Sequence, residues 1–481
     1  MLVRLRLLLR LLTPVSCLLT PFLCFPQSLI IKNVTVIDAT GAAPRRKMSV
    51  GVAAGRITAI QKRLKTARGI RVIDGKGKFL IPGLWDMHIH LGAPEIFFPL
   101  LVANGITGVR EMFTGIPLET IRQWRTRSDV PRIAASGFID GPPILWSGAP
   151  LPAGAFAVAT ADQARFAVDA LARSGVDFIK VYSSVPREAY FALAQEARVI
   201  GIPFAGHVPE AVSPLEAAVA GQRSQEHLLN ILLACSMREQ ELRARRVATM
   251  LDPSVSGEAR MRFLAFENPE DLLDSYSEQK ASILFQTFVR QGVWQTPTLV
   301  ILSGYANADA IDDPRRRYLP KSWTDQWDPR GAFFLKDMSP ADLDALLARV
   351  RVLLARHERL VGDMHRSGVE FLAGTDANGA NPVFPGFGLH DELALLVASG
   401  LTPLEALQCA TRNAARYFGS RDFGTIEAGK AADLVLLNAD PLADIRNTEK
   451  IEAVVMRGRY FSRQDLDAML DRESKFAASR H

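Results

Sequence analysis

Over residues 28–81 the chain reads as short apolar runs cut by turn residues. LIIKNVTVIDATG, MSVGVAAGRITAI and IRVIDGKGKFLIPG are rich in β-branched residues and bounded by Gly and Asp-Gly, which predicts short strands. The same texture returns near the other end, in GTIEAGKAADLVLLNA and IEAVVMRGRYF. Two strand-rich ends around a long middle predict a small β-sandwich module built from both termini, residues 29–82 and 423–463. A polar, helix-prone tail, 464–481, follows.

The middle, 83–422, alternates strand and helix patterns, which predicts a parallel sheet with crossover helices. Candidate strands lie at 84–91, 107–112, 132–137, 177–183, 203–208, 223–228, 293–301 and 369–377. Eight such units make an α/β fold of the (β/α)8 TIM-barrel type. Two long polar insertions, 232–291 and 306–340, fall after the sixth and seventh strands. Loops at those positions would cover the C-terminal mouth, where barrel active sites sit.

Composition changes this picture little. The chain has 481 residues, 48% of them hydrophobic, enough for a large core and one smaller module. Of its net charge of +6, three charges are Arg4, Arg6 and Arg10 in a first segment without acidic residues. What remains is too little to argue for nucleic acid, and no basic run carries interleaved aromatics. The first 28 residues, arginines followed by an apolar run broken by Pro14 and Pro21, have the pattern of a signal peptide. The expectation is an exported protein, periplasmic or secreted, with no stable membrane span in its mature form. Pro14-Val15-Ser16-Cys17 is a poor lipoprotein box and leaves a lipid anchor as the less favoured alternative. Cys235 and Cys409 are too few for a disulfide framework and are expected to be buried thiols.

The chemistry starts at His88-Ile89-His90. Strand alternation puts both imidazoles on one face, pointing into the barrel at the end of its first strand. Such a pair suits a borderline-soft divalent ion such as zinc. His207 and His227 end later strands, and Asp376 ends the last. Alone, each has a bland alternative: a core histidine, or an aspartate capping a helix. However, the chain has only 8 histidines, and four fall on C-terminal strand ends. Lys180 lies in an apolar strand, Asp177-Phe178-Ile179-Lys180-Val181-Tyr182, with its ammonium aimed inward. Burial lowers the pKa of such an amine, and a neutral amine can take up carbon dioxide to give an anionic carbamate. The alternative is a lysine paired with a carboxylate such as Glu226.

PGLWDMHIHL, the Lys in DFIKVY, the His in GHVP, the His in SQEHL, the Asp in AGTDA and the terminal EAGKAADLVLL resemble, in order, the amidohydrolase superfamily. The nearest branch is that of imidazolonepropionase-like and prolidase-like hydrolases, and the resemblance spans about 29–461. It implies that His88, His90 and Asp376 hold a buried divalent ion, that His207 and His227 hold a more exposed one, and that carbamylated Lys180 bridges them. The resemblance further implies a hydroxide between the two ions, with Asp376 as general base and acid, cleaving an amide C–N bond. The substrate expected is small, an N-acyl amino acid or a dipeptide, Xaa-Pro included. Relatives often self-associate, so a homo-oligomer is expected.

Further candidates surround this core. Tyr182 faces the same way as Lys180 and could hydrogen-bond the substrate carbonyl as its charge develops. Arg110 could receive a substrate carboxylate, or be tied up in an ion pair. His390, in GFGLHDEL, resembles a position near substrate in relatives, against a helix-start residue with no ligand. Two departures matter. VREMFTG replaces the Asp and paired glycines usual after the second strand. His207-Val208-Pro209-Glu210 also fits the His-x-x-Glu pattern of one-metal deaminases and cyclic-amide or lactone hydrolases, in which Glu210 would shuttle protons. A non-catalytic metal-binding scaffold on the same fold is the remaining alternative, disfavoured because every ligand is retained.

Overall fold

The computed structural model describes residues 28–479, apart from 143–150, 253, 266–268, 308–312, 331–334 and 336–337. Apart from Ser28, the segment read as a signal peptide lies outside the described residues.

The first run of strands is β1 (Leu29–Val36), β2 (Arg45–Ala53), β3 (Arg56–Gln61), β4 (Arg71–Asp74) and β5 (Phe79–Pro82). The barrel strands are β6 (Leu84–Ile89), β7 (Ile106–Glu111), β8 (Arg132–Asp140), a short β9 (Ala155–Ala157) added beside β8, then β10 (Phe178–Val181), β11 (Phe204–Gly206), β12 (Ser224–Glu226), β13 (Trp294–Thr296) and β14 (Glu370–Phe371). The chain ends with β15 (Leu434–Leu437), β16 (Ile451–Met456), β17 (Arg459–Ser462) and a helix, Arg463–Ala478.

The terminal strands form one eight-stranded sheet in the order β17-β16-β15-β5-β1-β2-β3, with β4 paired to β1. Its apolar side chains, among them Ile31, Val50 and Val52 from one end and Leu434, Leu436 and Val455 from the other, share one core cluster. Both termini are therefore needed to close it. The polar tail is a helix whose Leu470 and Phe476 pack on a cluster containing Ile96, Leu100 and Tyr318.

The other sheet runs β6-β7-β8-β10-β11-β12-β13-β14, every pair parallel. The chain after β14 returns to β6: Met87 N–H donates to Ala373 O (2.9 Å), Thr375 N–H to His88 O (3.0 Å) and His90 N–H to Ala377 O (3.0 Å). The barrel is thus closed. Its strands are buried on both faces, as a parallel sheet wrapped in helices requires. The seventh strand is shorter than the pattern 293–301 predicts. Thr298 turns left-handed (φ 49°), and Leu299–Ala306 is a helix. The apolar run TLVI carries no periodicity that separates a buried strand from a buried helix.

Asp433 joins the two units. Its Oδ2 accepts from Arg132 Nε at the start of β8 (2.7 Å), and its Oδ1 from the N–H of Arg457 in the β16–β17 turn (2.6 Å). Among the described residues no helix is long and apolar enough to cross a membrane. Cys235 and Cys409 are free and buried.

Trp85 on β6 lies flat against β7, and only a glycine fits beneath it. A Cβ added at Gly108 would stand 2.1 Å from Trp85 Cε2. Gly108→Ala is expected to cost about 1–3 kcal/mol through overpacking, the usual range for an extra methyl in a filled core. Urea denaturation of the variant checks this; an unchanged midpoint would mean that the indole has room to move.

Candidate metal centre

The six residues that the sequence pattern selects lie at the C-terminal ends of β6, β10, β11 and β12 and just past β14. His88 Nε2 is 3.5 Å from Asp376 Oδ1, and His90 Nε2 is 3.0 Å from the same oxygen. Lys180 Nζ stands 3.4 Å from His88 Nε2. The His227 ring is 4.5 Å from that of His88 and 4.9 Å from that of His207, centroid to centroid. Ligand atoms of His88, His227 and Asp376 all fall within 4.8 Å of one another.

Each histidine is oriented from behind through Nδ1. His88 Nδ1 meets Glu226 Oε2 (2.8 Å), and His90 Nδ1 meets the carbonyl of Phe113 (2.8 Å). Both partners accept, so both Nδ1 atoms carry the proton and both Nε2 lone pairs are free. His207 Nδ1 meets Ser183 Oγ (2.7 Å), and His227 Nδ1 meets Thr298 Oγ1 (2.8 Å). Such outer partners fix ring orientation in metal sites.

The electrostatics fit a cation. Burial, then Lys180, drives His88 and His207 well below the ordinary histidine range, and burial takes His227 down to about 4. These rings are therefore neutral at pH 7, the form that ligates. Burial raises Asp376, but the close approach of His90 and the charge of Lys180 outweigh it, so the carboxyl sits below its usual range. Lys180 is brought down to about 8 by burial, against the pull of Glu226 and Asp376. Glu226 is not its hydrogen-bonded partner. That carboxylate is engaged by His88, by Arg110 Nη2 (2.9 and 2.8 Å) and by Ser224. Neutral imidazoles and an ionised carboxylate are donors that a divalent ion can take, and Lys180 can join them once it loses its proton.

The backbone is unusual at this end of the barrel. Phe113, His227, Leu228, Thr298 and Asp376 all have positive φ, between 49° and 77°. Residues without glycine's freedom hold such angles only where their surroundings enforce them.

Tyr182 packs its ring 4.0 Å from that of His207 and 5.5 Å from that of Phe138. Its hydroxyl has no hydrogen-bond partner among the described residues. Both insertions reach the site. The helix Glu239–Leu251 brings Met250 against Tyr182 and Phe263. In the second insertion, Trp327 Nε1 donates to Gly379 O (3.1 Å), on the loop that follows Asp376.

Three expectations need correction. Arg110 is fully buried, and its guanidinium is fully engaged: Nε to Met87 O (2.5 Å), Nη1 to Ser224 Oγ and Tyr417 Oη, Nη2 to Glu226. It receives no substrate carboxylate. His390 uses both ring nitrogens, Nδ1 on Thr448 Oγ1 (2.9 Å) and Nε2 on Asn104 O (3.1 Å), and it ties a helix to its surroundings rather than facing a substrate. Glu210 is only 2% exposed and is held by Arg246 Nε (2.7 Å) and Asn230 Nδ2 (3.3 Å), so it is not a free proton shuttle. The sequence offered no sign of Arg246, because a charged helix in an insertion reads as a solvated face. Thr298, Ser183 and the Phe113 carbonyl are equally invisible; nothing marks them beyond their place after strands.

Arg110, Glu226 and His88 form one buried chain. Arg110→Met leaves the Glu226 carboxylate uncompensated and is expected to destabilise the fold by about 3–5 kcal/mol. Chemical denaturation checks this. A variant of unchanged stability but weakened substrate binding would restore Arg110 to the substrate.

The chain is similar to several known proteins. Residues 287–460 match the model of the amidohydrolase family. An N-acetylglucosamine-6-phosphate deacetylase of Lysinibacillus sphaericus is 44% identical over 66 residues, 14% of this chain and 16% of that protein. The chain thus matches about one sixth of that relative's length. Among solved structures, a bottromycin amidohydrolase is similar with a TM-score of 0.66 and 23% identity, covering 93% of this chain and 90% of that one. A Xaa-Pro dipeptidase with bound methionine in its active site gives 0.63 and 19%, covering 90% and 99%. Residues 287–460 are thus similar to the amidohydrolase family, and the barrel fold is shared with these solved structures.

Proposed function

We propose that the protein is a metal-dependent hydrolase that breaks an amide C–N bond in a small substrate. The observation that carries this is the meeting of His88, His90, Lys180, His207, His227 and Asp376, from five separate strands, at one end of one barrel. We assign His88, His90 and Asp376 to an inner divalent ion and His207 and His227 to an outer one, with Lys180 as a carbamate between them. Nitrogen and oxygen donors of this kind suit zinc. When bound, the ions supply acidification of a water molecule and polarisation of the scissile carbonyl.

The chain's own groups do the rest. Asp376 is ionised and lies within reach of both inner imidazoles, so it can take a proton from the attacking water and pass it to the departing nitrogen. An amide nitrogen leaves poorly without that proton. Asn381 Nδ2 donates to Asp376 Oδ2 (3.1 Å) and holds the carboxylate in place. The free hydroxyl of Tyr182 can donate to the carbonyl oxygen as charge builds there.

The walls narrow the substrate. Arg110 and Arg246 are spent on internal carboxylates, and Met250 and Phe263 sit beside Tyr182. An N-acyl amino acid or dipeptide with an apolar group on that side fits best, Xaa-Pro dipeptides included. We place the reaction outside the cytoplasm, on the arginine-then-apolar pattern of the first 28 residues, and expect the subunits to self-associate.

Metal-replete protein assayed on acyl-amino acids and dipeptides is expected to hydrolyse at least one class, and chelation to abolish turnover until zinc is restored. Intact-protein mass spectrometry is expected to show one added carbon dioxide, lost in Lys180→Ala. Turnover by that variant should fall at least about 100-fold, a general-base-sized effect, and recover in part with acetate as a substitute bridging anion. Full activity in Lys180→Ala would remove the two-ion assignment; full activity in chelator would remove the metal.

A further inference from the structure

The helix Leu299–Ala306 begins without the usual cap. Its N-cap residue is Thr298, a type that normally turns its hydroxyl back onto an N–H two or three residues on. Here no side-chain cap bond forms, and the residue sits at φ 49°, ψ 43°. For a β-branched residue that is a costly conformation. The hydroxyl points elsewhere: Thr298 Oγ1 is 2.8 Å from His227 Nδ1.

Another residue does the capping. Glu392, fully buried on the helix Phe387–Ala398, places Oε2 2.9 Å from the N–H of Val300. A carboxyl oxygen at a helix N-terminus satisfies an orphan donor whether or not the group is ionised, and burial pushes this one up to about 8. Glu392 comes from the eighth repeat of the barrel, yet it closes the turn after the seventh strand.

His227 needs this support. It is itself left-handed (φ 63°), followed by Leu228 at 56°, and its N–H is tied to Thr296 O (2.9 Å). A ring on so constrained a backbone has one direction fixed by the main chain and the other by what meets Nδ1.

We propose that Glu392 is a positioning residue for the metal centre: it caps the helix at Val300 in place of Thr298, and so frees the Thr298 hydroxyl to orient His227. This rests on the reading of the site as a metal centre. Glu392 acts through Thr298, and the two behave as one unit toward metal held by His227.

The test is a double-mutant cycle on the full protein, using E392A, T298V and the pair, read by zinc stoichiometry and affinity in a competing chelator, with thermal midpoints recorded alongside. Each single variant is expected to weaken one zinc equivalent about 10–100-fold, the range for loss of an outer partner of a metal ligand. The double variant should be no weaker than the worse single, because both remove the same support. E392Q, whose amide oxygen still accepts an N–H, is expected to keep most of the affinity. If E392A does not fold, E392D takes its place, since the shorter side chain withdraws from the turn. Zinc affinity unchanged in a folded E392A or E392D, whatever its midpoint, overturns the proposal and leaves the metal centre standing. So do single losses that multiply in the pair. Wild-type protein that binds no zinc overturns both.

Discussion

The site depends on one seam. His88 O accepts the N–H groups of both Thr375 (3.0 Å) and Asp376 (2.6 Å), where the end of the eighth unit meets the first strand. Asp86 reinforces it: Oδ1 accepts from the N–H groups of His88 and Thr375, and Oδ2 from the Thr375 hydroxyl (2.6 Å). Two donors on one carbonyl force the chain to turn sharply, and Asp376 takes a positive φ of 54°. That turn is what sets its carboxylate against His88 and His90. Closing the barrel and assembling the first half of the centre are therefore one event, made by residues 289 positions apart in sequence.

Burying cations is the second constraint. Two of the largest fully buried side chains are Arg110 and Lys180, both inside the barrel. An unpaired buried charge is very costly, and the two escape by different routes. Arg110 cannot lose its proton, so the fold surrounds it with Glu226 and four neutral acceptors. Lys180 can lose its proton, and burial brings it down to about 8. At that value roughly one amine in ten is neutral at pH 7, against far fewer for an ordinary lysine. Glu226 links the two cases. It neutralises Arg110 and, through Oε2, fixes which nitrogen of His88 keeps the proton. A residue that reads as a partner for Lys180 serves His88 instead, because the guanidinium reaches it first.

Much of this was legible in the sequence. The His-x-His pair, the inward lysine and the histidines at strand ends follow from strand alternation and the end of each apolar run, and local pattern fixes those. What could not be read depends on contacts between distant segments. Arg110 looks like a mouth residue because it follows an apolar strand; only the fold shows that Glu226 and Tyr417, 116 and 307 positions away, close around it. His390 and Glu392 lie two residues apart on one helix. The histidine stands out in sequence because imidazole is rare and reactive, yet both its nitrogens serve packing, while the glutamate, which no motif marks, caps the turn behind His227. The seventh strand was overread for a related reason: nothing local to TPTLVI says that Thr298 will turn left-handed.

Positive backbone angles recur at the C-terminal mouth of the barrel, as they do in the terminal sheet, at Asn33, Ala39, Lys47, Ala54 and Arg457. Phe113, His227, Thr298 and Asp376 each hold a positive φ, at a cost of about 1–3 kcal/mol apiece. Each also presents something to the centre: a carbonyl to His90, a ring, a hydroxyl to His227, a carboxylate. The opposite end carries the offsetting order, where Asp433 and the shared apolar cluster lock the two termini together and onto the start of β8. These contacts can offset the cost of poorly favoured backbone in both places. The terminal sheet, remote from any chemistry, is on this argument part of what lets five strands end in the geometry the centre requires.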